Sequence, residues 1–326
     1  MKKFLCLVLL FLCSGAAALS YEKAPAAKGP INPPNRRWTA TIERLAPERP
    51  TAEPKTARRV LLFSVATGYY HAVIPHTDAV VKILGERTGA FKVVQSDDIE
   101  MFTPEKLKEF DAVVLNNTCP IDPGRNLFLD VLQGKTRDKQ LGAKYKSLTE
   151  KQRKTRAAEL EKNLIDYVAS GRGLVCIHGG ITILNNSPAF SEMIGGSFDF
   201  HPRLQEVTLD LVEPGHPLVA GFQGKGFLHV DEPYLFNGAY PKKNFRPLLR
   251  MNVEKLDKAA RSDPRVTGDV RYVAWIKPYG KGRVFYAGPS HQPESFETAG
   301  MLRFLLDGIQ YALGDLKCDD ATKSRD

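Results

Sequence analysis

Three unbroken apolar runs limit what this chain can fold into. Residues 60–65, 111–116 and 173–177 are built around Val60-Leu61-Leu62-Phe63, Ala112-Val113-Val114-Leu115 and Leu174-Val175-Cys176-Ile177. None shows the alternation of a strand with one wet face, so each is expected to be buried on both faces. Such strands occur in parallel sheets with helices packed above and below. Helical patterns fall between the runs. Residues 75–88 place Ala79, Val80, Ile83 and Leu84 on one face. Residues 91–94 read as a further strand. Thr103-Pro104 starts a short helix, with Thr103 as N-cap. Ser147-Leu148-Thr149-Glu150 fits a capping box for a helix that Gly171 ends.

Beyond residue 195 the pattern changes. Residues 204–212, 226–236, 246–252 and 270–287 read as strands with few helices between them. Pro278-Tyr279-Gly280-Lys281-Gly282 marks a hairpin. Residues 297–313 form a closing amphipathic helix. The expected class is α/β: a flavodoxin-like sheet of parallel core strands, with additional antiparallel strands in the C-terminal half.

The ends carry separate messages. Lys2, Lys3, an apolar run and Ala16-Ala17-Ala18 form the pattern of a secretory signal over residues 1–18. The apolar run is shorter than the roughly 20 residues a spanning helix needs. The expected location is the periplasm or the exterior, with no stable membrane insertion. Residues 19–57 hold seven prolines and read as a Pro-rich tail or linker. The domain is expected over residues 58–316, with a basic insertion at 120–147 and a polar tail at 317–326. Trp38 and Ile42 are positioned to pin part of the N-terminal segment.

The net charge of +9 is local. Residues 21–59 carry nine Lys/Arg against four acids, and residues 125–156 carry ten against three. This charge does not follow a groove interleaved with aromatics, so no nucleic-acid partner is expected. Cys119, Cys176 and Cys318 follow the signal segment, widely spaced and odd in number, which argues against a disulfide framework. Cys119 and Cys176 read as core filler.

In open parallel sheets, ligands bind beyond the carboxyl ends of the strands. His71 follows the first apolar run and His178 the run at 173–177. Asp231 and Glu232 follow the strand ending near Val230, and His291 follows the last long strand. His201 follows a Gly195-Gly196 loop. The turn Ile177-His178-Gly179-Gly180 resembles a nucleophile elbow, with histidine where a nucleophile would stand. Cys176 lies inside the strand, so glutaminase chemistry is excluded. His216 reads as a loop cap, His229 as facing away, and Trp275 and Tyr272 as sheet core.

The motifs Thr67-Gly68-Tyr69-Tyr70-His71, Cys176-Ile177-His178-Gly179, Gly195-Gly196-Ser197-Phe198-Asp199-Phe200-His201-Pro202, Gly215-His216-Pro217-Leu218, Asp231-Glu232-Pro233-Tyr234 and Ser290-His291-Gln292-Pro293-Glu294 resemble, in order and spacing, the ThuA-like (trehalose utilisation) family. The resemblance spans about residues 59–314. It implies a class I glutamine amidotransferase-like fold without the amidotransferase cysteine, and a role in catabolism of trehalose or its 3-keto derivatives. Carried onto this chain, the shared polar positions are His71, His178, His201, Glu232 and His291.

The residue types support His178 and Glu232 as an acid–base pair on a keto-sugar or glycoside. His71, His201, Asp231 and His291 are then substrate-binding, with Glu294 a further carboxylate nearby. The same histidines and carboxylate are also the donor types of a divalent metal such as Zn²⁺, assembled from separate loops. A non-catalytic sugar-binding protein and a metal-dependent hydrolase of another small polar substrate are the alternatives. The expected partner is a small-molecule carbohydrate, and a homo-oligomer is compatible with the sequence.

Overall fold

A computed structural model describes residues 20–266 and 271–322. The predicted signal over residues 1–18 lies outside them. No described helix is long and apolar enough to cross a membrane.

The described strands are β1 (Tyr21–Lys23), β2 (Arg59–Phe63), β3 (Lys92–Gln95), β4 (Ala112–Asn116), β5 (Gly173–Ile177), β6 (Ser197–Phe200), β7 (Gln205–Leu211), β8 (Gly226–Asp231), β9 (Leu235–Asn237), β10 (Arg246–Met251), β11 (Tyr272–Tyr279) and β12 (Gly282–Ala287). Ten of these form one sheet in the order β1-β8-β7-β10-β11-β12-β5-β4-β2-β3, while β6 and β9 pair separately. The run β12-β5-β4-β2-β3 is parallel throughout. Beyond it, β11, β10, β7 and β8 add in antiparallel fashion. The predicted α/β class and its change of grammar are both present.

The three apolar runs are the centre of this sheet. Every residue of β4 and β5 is buried, because helices cover both faces. The helices Ile74–Thr88, Glu150–Ala169 and Ala299–Ala312 supply much of that cover. Register aligns the carboxyl ends: Ile177 of β5 sits opposite Asn116 of β4 and Ala287 of β12. Whatever follows these three residues is brought to one edge.

Several local expectations change. The Glu150–Ala169 helix is capped by Thr149 and Gln152, not by Ser147 and Glu150; the Thr149 side chain and Gln152 exchange the reciprocal bonds of a capping box. Thr103 occupies its N-cap position, but its hydroxyl donates to the Glu100 carbonyl. The insertion at 120–147 contains two short helices, Leu127–Leu132 and Lys139–Ala143. The strand expected over 226–236 divides at Glu232-Pro233-Tyr234, because Pro233 has no N–H for the ladder. Its second half joins β6, a strand that the mixed sequence Ser197-Phe198-Asp199-Phe200 did not announce.

The segment read as a tail is packed. β1 extends the sheet beside β8, and Trp38 and Ile42 bury one side of the helix Arg36–Leu45. Proline prevents long elements here but does not prevent docking. Farther along, Gln310 and Asp307 of the closing helix accept hydrogen bonds from Thr51.

Asp307 makes this docking pH-dependent. Burial pushes its carboxyl up to about 6 from 3.8, against the opposing pull of Thr51 and Arg303. The folded carboxyl thus binds its proton more tightly than the unfolded one. Its contribution to stability is full below about pH 4 and is lost as pH rises through 6. Asp307→Asn removes this titration. Between pH 4 and 7 the parent protein is expected to lose roughly 2–3 kcal/mol more than the variant. Urea unfolding across that range checks it; parallel stability curves would refute it.

Candidate functional site

Backbone strain gathers where the central strands end. Asn117 after β4 has φ 51°, His178 after β5 has φ 48°, and Ser290 after β12 has φ 146°. Side-chain-bearing residues rarely adopt such angles, and they persist only where surrounding structure enforces them. At the elbow, Gly179 and Gly180 begin a short 3₁₀ turn, His178–Thr182. A Cβ on Gly180 would lie 2.1 Å from the Leu115 carbonyl oxygen, and one on Gly179 would lie 2.7 Å from Cys119 Sγ. The glycines are needed for close approach; the positive φ belongs to His178 itself. Asn117 pins the turn by accepting the Gly179 N–H at 3.1 Å.

Glu232 hangs from the break between β8 and β9. Three ring nitrogens surround its Oε2: His291 Nδ1 at 3.1 Å, His178 Nε2 at 3.3 Å and His71 Nε2 at 3.6 Å. His201 Nε2 stands 3.8 Å from Oε1. The His71, His178 and His291 rings meet edge to face, with centroids 5.0–5.3 Å apart. Four histidines singled out in the sequence, from four separate segments, therefore converge on one carboxylate, Glu232, singled out with them.

Asp231, expected to bind substrate, has another place. It accepts backbone N–H bonds from Glu232 at 2.7 Å and Ser290 at 2.8 Å, and His229 Nδ1 lies 3.2 Å from it. Asp231 is a positioning residue that ties the loop carrying His291 to the strand carrying Glu232. His229 stands outside the cluster around Glu232, supports Asp231 and meets Ser295 Oγ at 2.9 Å. His216 caps a short turn at Leu218. Glu294 borders a separate cavity of about 350 Å³ beside Trp38 and His76 and does not reach Glu232's histidines. Trp275 is core, its indole N–H held by the Ile194 carbonyl.

Electrostatics set the states of these groups. Burial alone would raise the Glu232 carboxyl, but the ring nitrogens of His178, His291 and His71 close to it outweigh that and hold it far below the usual carboxylate range. Burial lowers His71 to about 4, against the pull of Glu232. Burial would also lower His178, but Glu232, Asp231 and the Gly288 carbonyl raise it overall. Cys119 lies 3.7 Å from His71 Nδ1, a cysteine–histidine contact the sequence did not suggest. Burial pushes its thiol up to about 12, so it is no thiolate nucleophile near neutral pH.

A cavity of about 270 Å³ opens above Glu232, walled by His71, His201, Cys119, Thr182 and the rings of Tyr69, Phe198 and Tyr234. His178 is fully buried beneath it, under the Tyr234 ring at 4.3 Å. Pro120, Ile121 and Pro123 bring the start of the insertion to the rim. Asp130 anchors that loop by accepting from Thr67, Ile121 and Arg125. Asn117, Tyr234 and Phe198 were not identified from sequence as site residues. Phe198 and Tyr234 stand inside the quoted motifs, and Asn117 directly follows the apolar run at 111–116.

The sequence model of the trehalose utilisation (ThuA) family matches residues 59–312. The chain belongs to the ThuA family. The solved structure of a ThuA-like protein from Bacteroides uniformis ATCC 8492 is 16% identical, with a TM-score of 0.54 over 80% of this chain and 94% of that one. One from Parabacteroides merdae ATCC 43184 is 18% identical, with a TM-score of 0.53 over 83% and 93%. These likenesses establish a shared flavodoxin-like fold. No curated protein matches the chain. The match begins at Arg59, so β1 and the helix Arg36–Leu45 precede the family's region. Membership supports a carbohydrate-related role for this ThuA-family chain.

Proposed function

We propose that the chain is an exported enzyme of carbohydrate catabolism, not a glutaminase. It takes a sugar of the trehalose or 3-keto-glycoside type into the cavity above Glu232. The observation carrying this reading is the cavity itself: apolar rings on its walls, and at its floor a single carboxylate gripped by histidines. Aromatic faces suit the C–H faces of a sugar, while a few convergent polar groups orient its hydroxyls. Export rests on the pattern at residues 1–18.

In this reading the roles differ from those read from sequence. His178 is too deep to meet a sugar, and its neighbours strip Glu232 of basicity. Glu232 supplies the negative charge of the site, and His178 helps to position it. Proton transfer falls to His201, whose side chain is 33% exposed and lines the cavity. Its Nδ1 lies 2.8 Å from the Pro202 carbonyl, so that nitrogen carries the proton and Nε2 is left with a free lone pair. In a 3-keto-glycoside, Nε2 would take the C2 proton beside the carbonyl, the electrons left behind would form a C1=C2 bond as the C1–O bond breaks, and the proton would pass to the departing oxygen.

Turnover of trehalose, 3-keto-trehalose and simple 3-keto-glucosides tests this. His201→Ala is expected to lower kcat about 100-fold or more on the best substrate, with unfolding unchanged, as for loss of a general base. The enzymatic reading fails if the parent protein turns over none of these sugars and only binds them. The assignment of His201 fails if its variant retains full kcat.

A further inference from the structure

We infer that His71, His178, Glu232 and His291 form a binding site for one divalent first-row metal ion, with Zn²⁺ the best match. The four donor atoms all lie within 4.8 Å of one another. In a tetrahedral zinc site with bonds of 2.0–2.2 Å, donors stand ~3.4 Å apart. The distances from Glu232 Oε2 to the three ring nitrogens, 3.1, 3.3 and 3.6 Å, bracket that edge.

Hydrogen bonding does not account for the cluster. One carboxylate oxygen offers two lone pairs, and three nitrogens face it. His71 Nε2 and His291 Nδ1 are buried without any hydrogen-bond partner. The first is too far from Glu232 for a hydrogen bond, and the second lacks the alignment of one. Both rings are more than nine-tenths buried. Orphaned nitrogens are costly in such a place, and their shared target is the space beside Oε2.

The surroundings orient the donors as metal sites require. His178 Nδ1 donates to the Gly288 carbonyl at 2.7 Å, which fixes the tautomer and turns the Nε2 lone pair toward Glu232. Asp231 holds both the Glu232 and His291 backbones. Three imidazoles and one carboxylate match a borderline cation and not Ca²⁺ or Mg²⁺, which take mostly oxygen donors. Glu232 and His71 reach the cavity, so the ion would stand at its floor, where a sugar oxygen or water can approach. The site lies within the proposed sugar pocket, but its existence does not depend on the substrate.

The test uses purified protein stripped with a chelator and titrated calorimetrically with ZnCl₂, MnCl₂ and CoCl₂, with metal content measured after desalting. One ion per chain is expected, with a visible Co²⁺ spectrum typical of nitrogen and oxygen donors. Glu232→Gln and His291→Ala are each expected to weaken binding at least about 10-fold. Should either variant unfold, His71→Gln, whose side chain is similar in length, replaces it. The inference is overturned if less than a tenth of an equivalent is retained for all three metals, or if binding is unaffected by every substitution. Since no sugar is present, failure here leaves the sugar reading standing, and absence of sugar turnover leaves the metal result standing.

Discussion

Glu232→Gln is expected to reduce kcat on the best sugar substrate by about 1000-fold or more, with the melting temperature little changed. The size follows from what the carboxylate does for its neighbours. Loss of one positioned charge in an active site commonly costs two to four orders of magnitude. Here the anion faces four imidazoles at once. Glutamine keeps the volume and one acceptor oxygen, so packing against Tyr234 and His71 survives while the charge is gone. His178 then loses the main partner that raises its pKa, and its titration, followed by NMR, should move down. A variant that keeps its activity would place the chemistry away from this carboxylate.

Gly180→Ala is expected to destabilise the protein by about 3–5 kcal/mol, the top of the range for single substitutions. The added Cβ would meet the Leu115 carbonyl oxygen at 2.1 Å. That oxygen belongs to the backbone of β4, inside the sheet, and has no side chain that could swing aside. Either the elbow or the strand must shift, and the elbow carries His178. Gly215→Ala is the matching control: it is exposed, and nothing lies within 4 Å of the added atom. Guanidinium unfolding of the two variants measures the difference, which should vanish if the elbow is as loose as an ordinary surface turn.

The sheet was legible because burial on both faces writes itself into unbroken apolar runs. Residues 60–63, 112–115 and 174–177 could be little else, and the positions just past them are where polar residues converge. The histidines and Glu232 were found by that route. Distance and tautomer were not legible. Sequence could not tell that His178 lies beneath the cavity and His201 at its mouth, since one directly follows a strand and the other a glycine loop, and neither position marks depth. Asp231 reads from sequence as a substrate-binding neighbour of Glu232, yet alternation along β8 and the stop at Pro233 send the two carboxylates to different partners. The N-terminal segment was legible only in part: Trp38 and Ile42 stood out as anchors, but the helix they sit on and the strand β1 did not. Proline density signals the absence of long elements, whereas docking depends on a few residues, Trp38 and Ile42 among them, finding a surface elsewhere in the chain.

The central claim is that the histidine-bound carboxylate at the end of the parallel sheet works on a sugar. The most direct test is a proton NMR time course of 3-keto-trehalose with the parent protein and with Glu232→Gln, each with and without added ZnCl₂. The account predicts consumption of the sugar by the parent protein and a rate at least about 1000-fold lower for the variant, as expected for loss of an active-site charge. Equal rates for the two proteins, or no consumption by the parent protein under either condition, would contradict it.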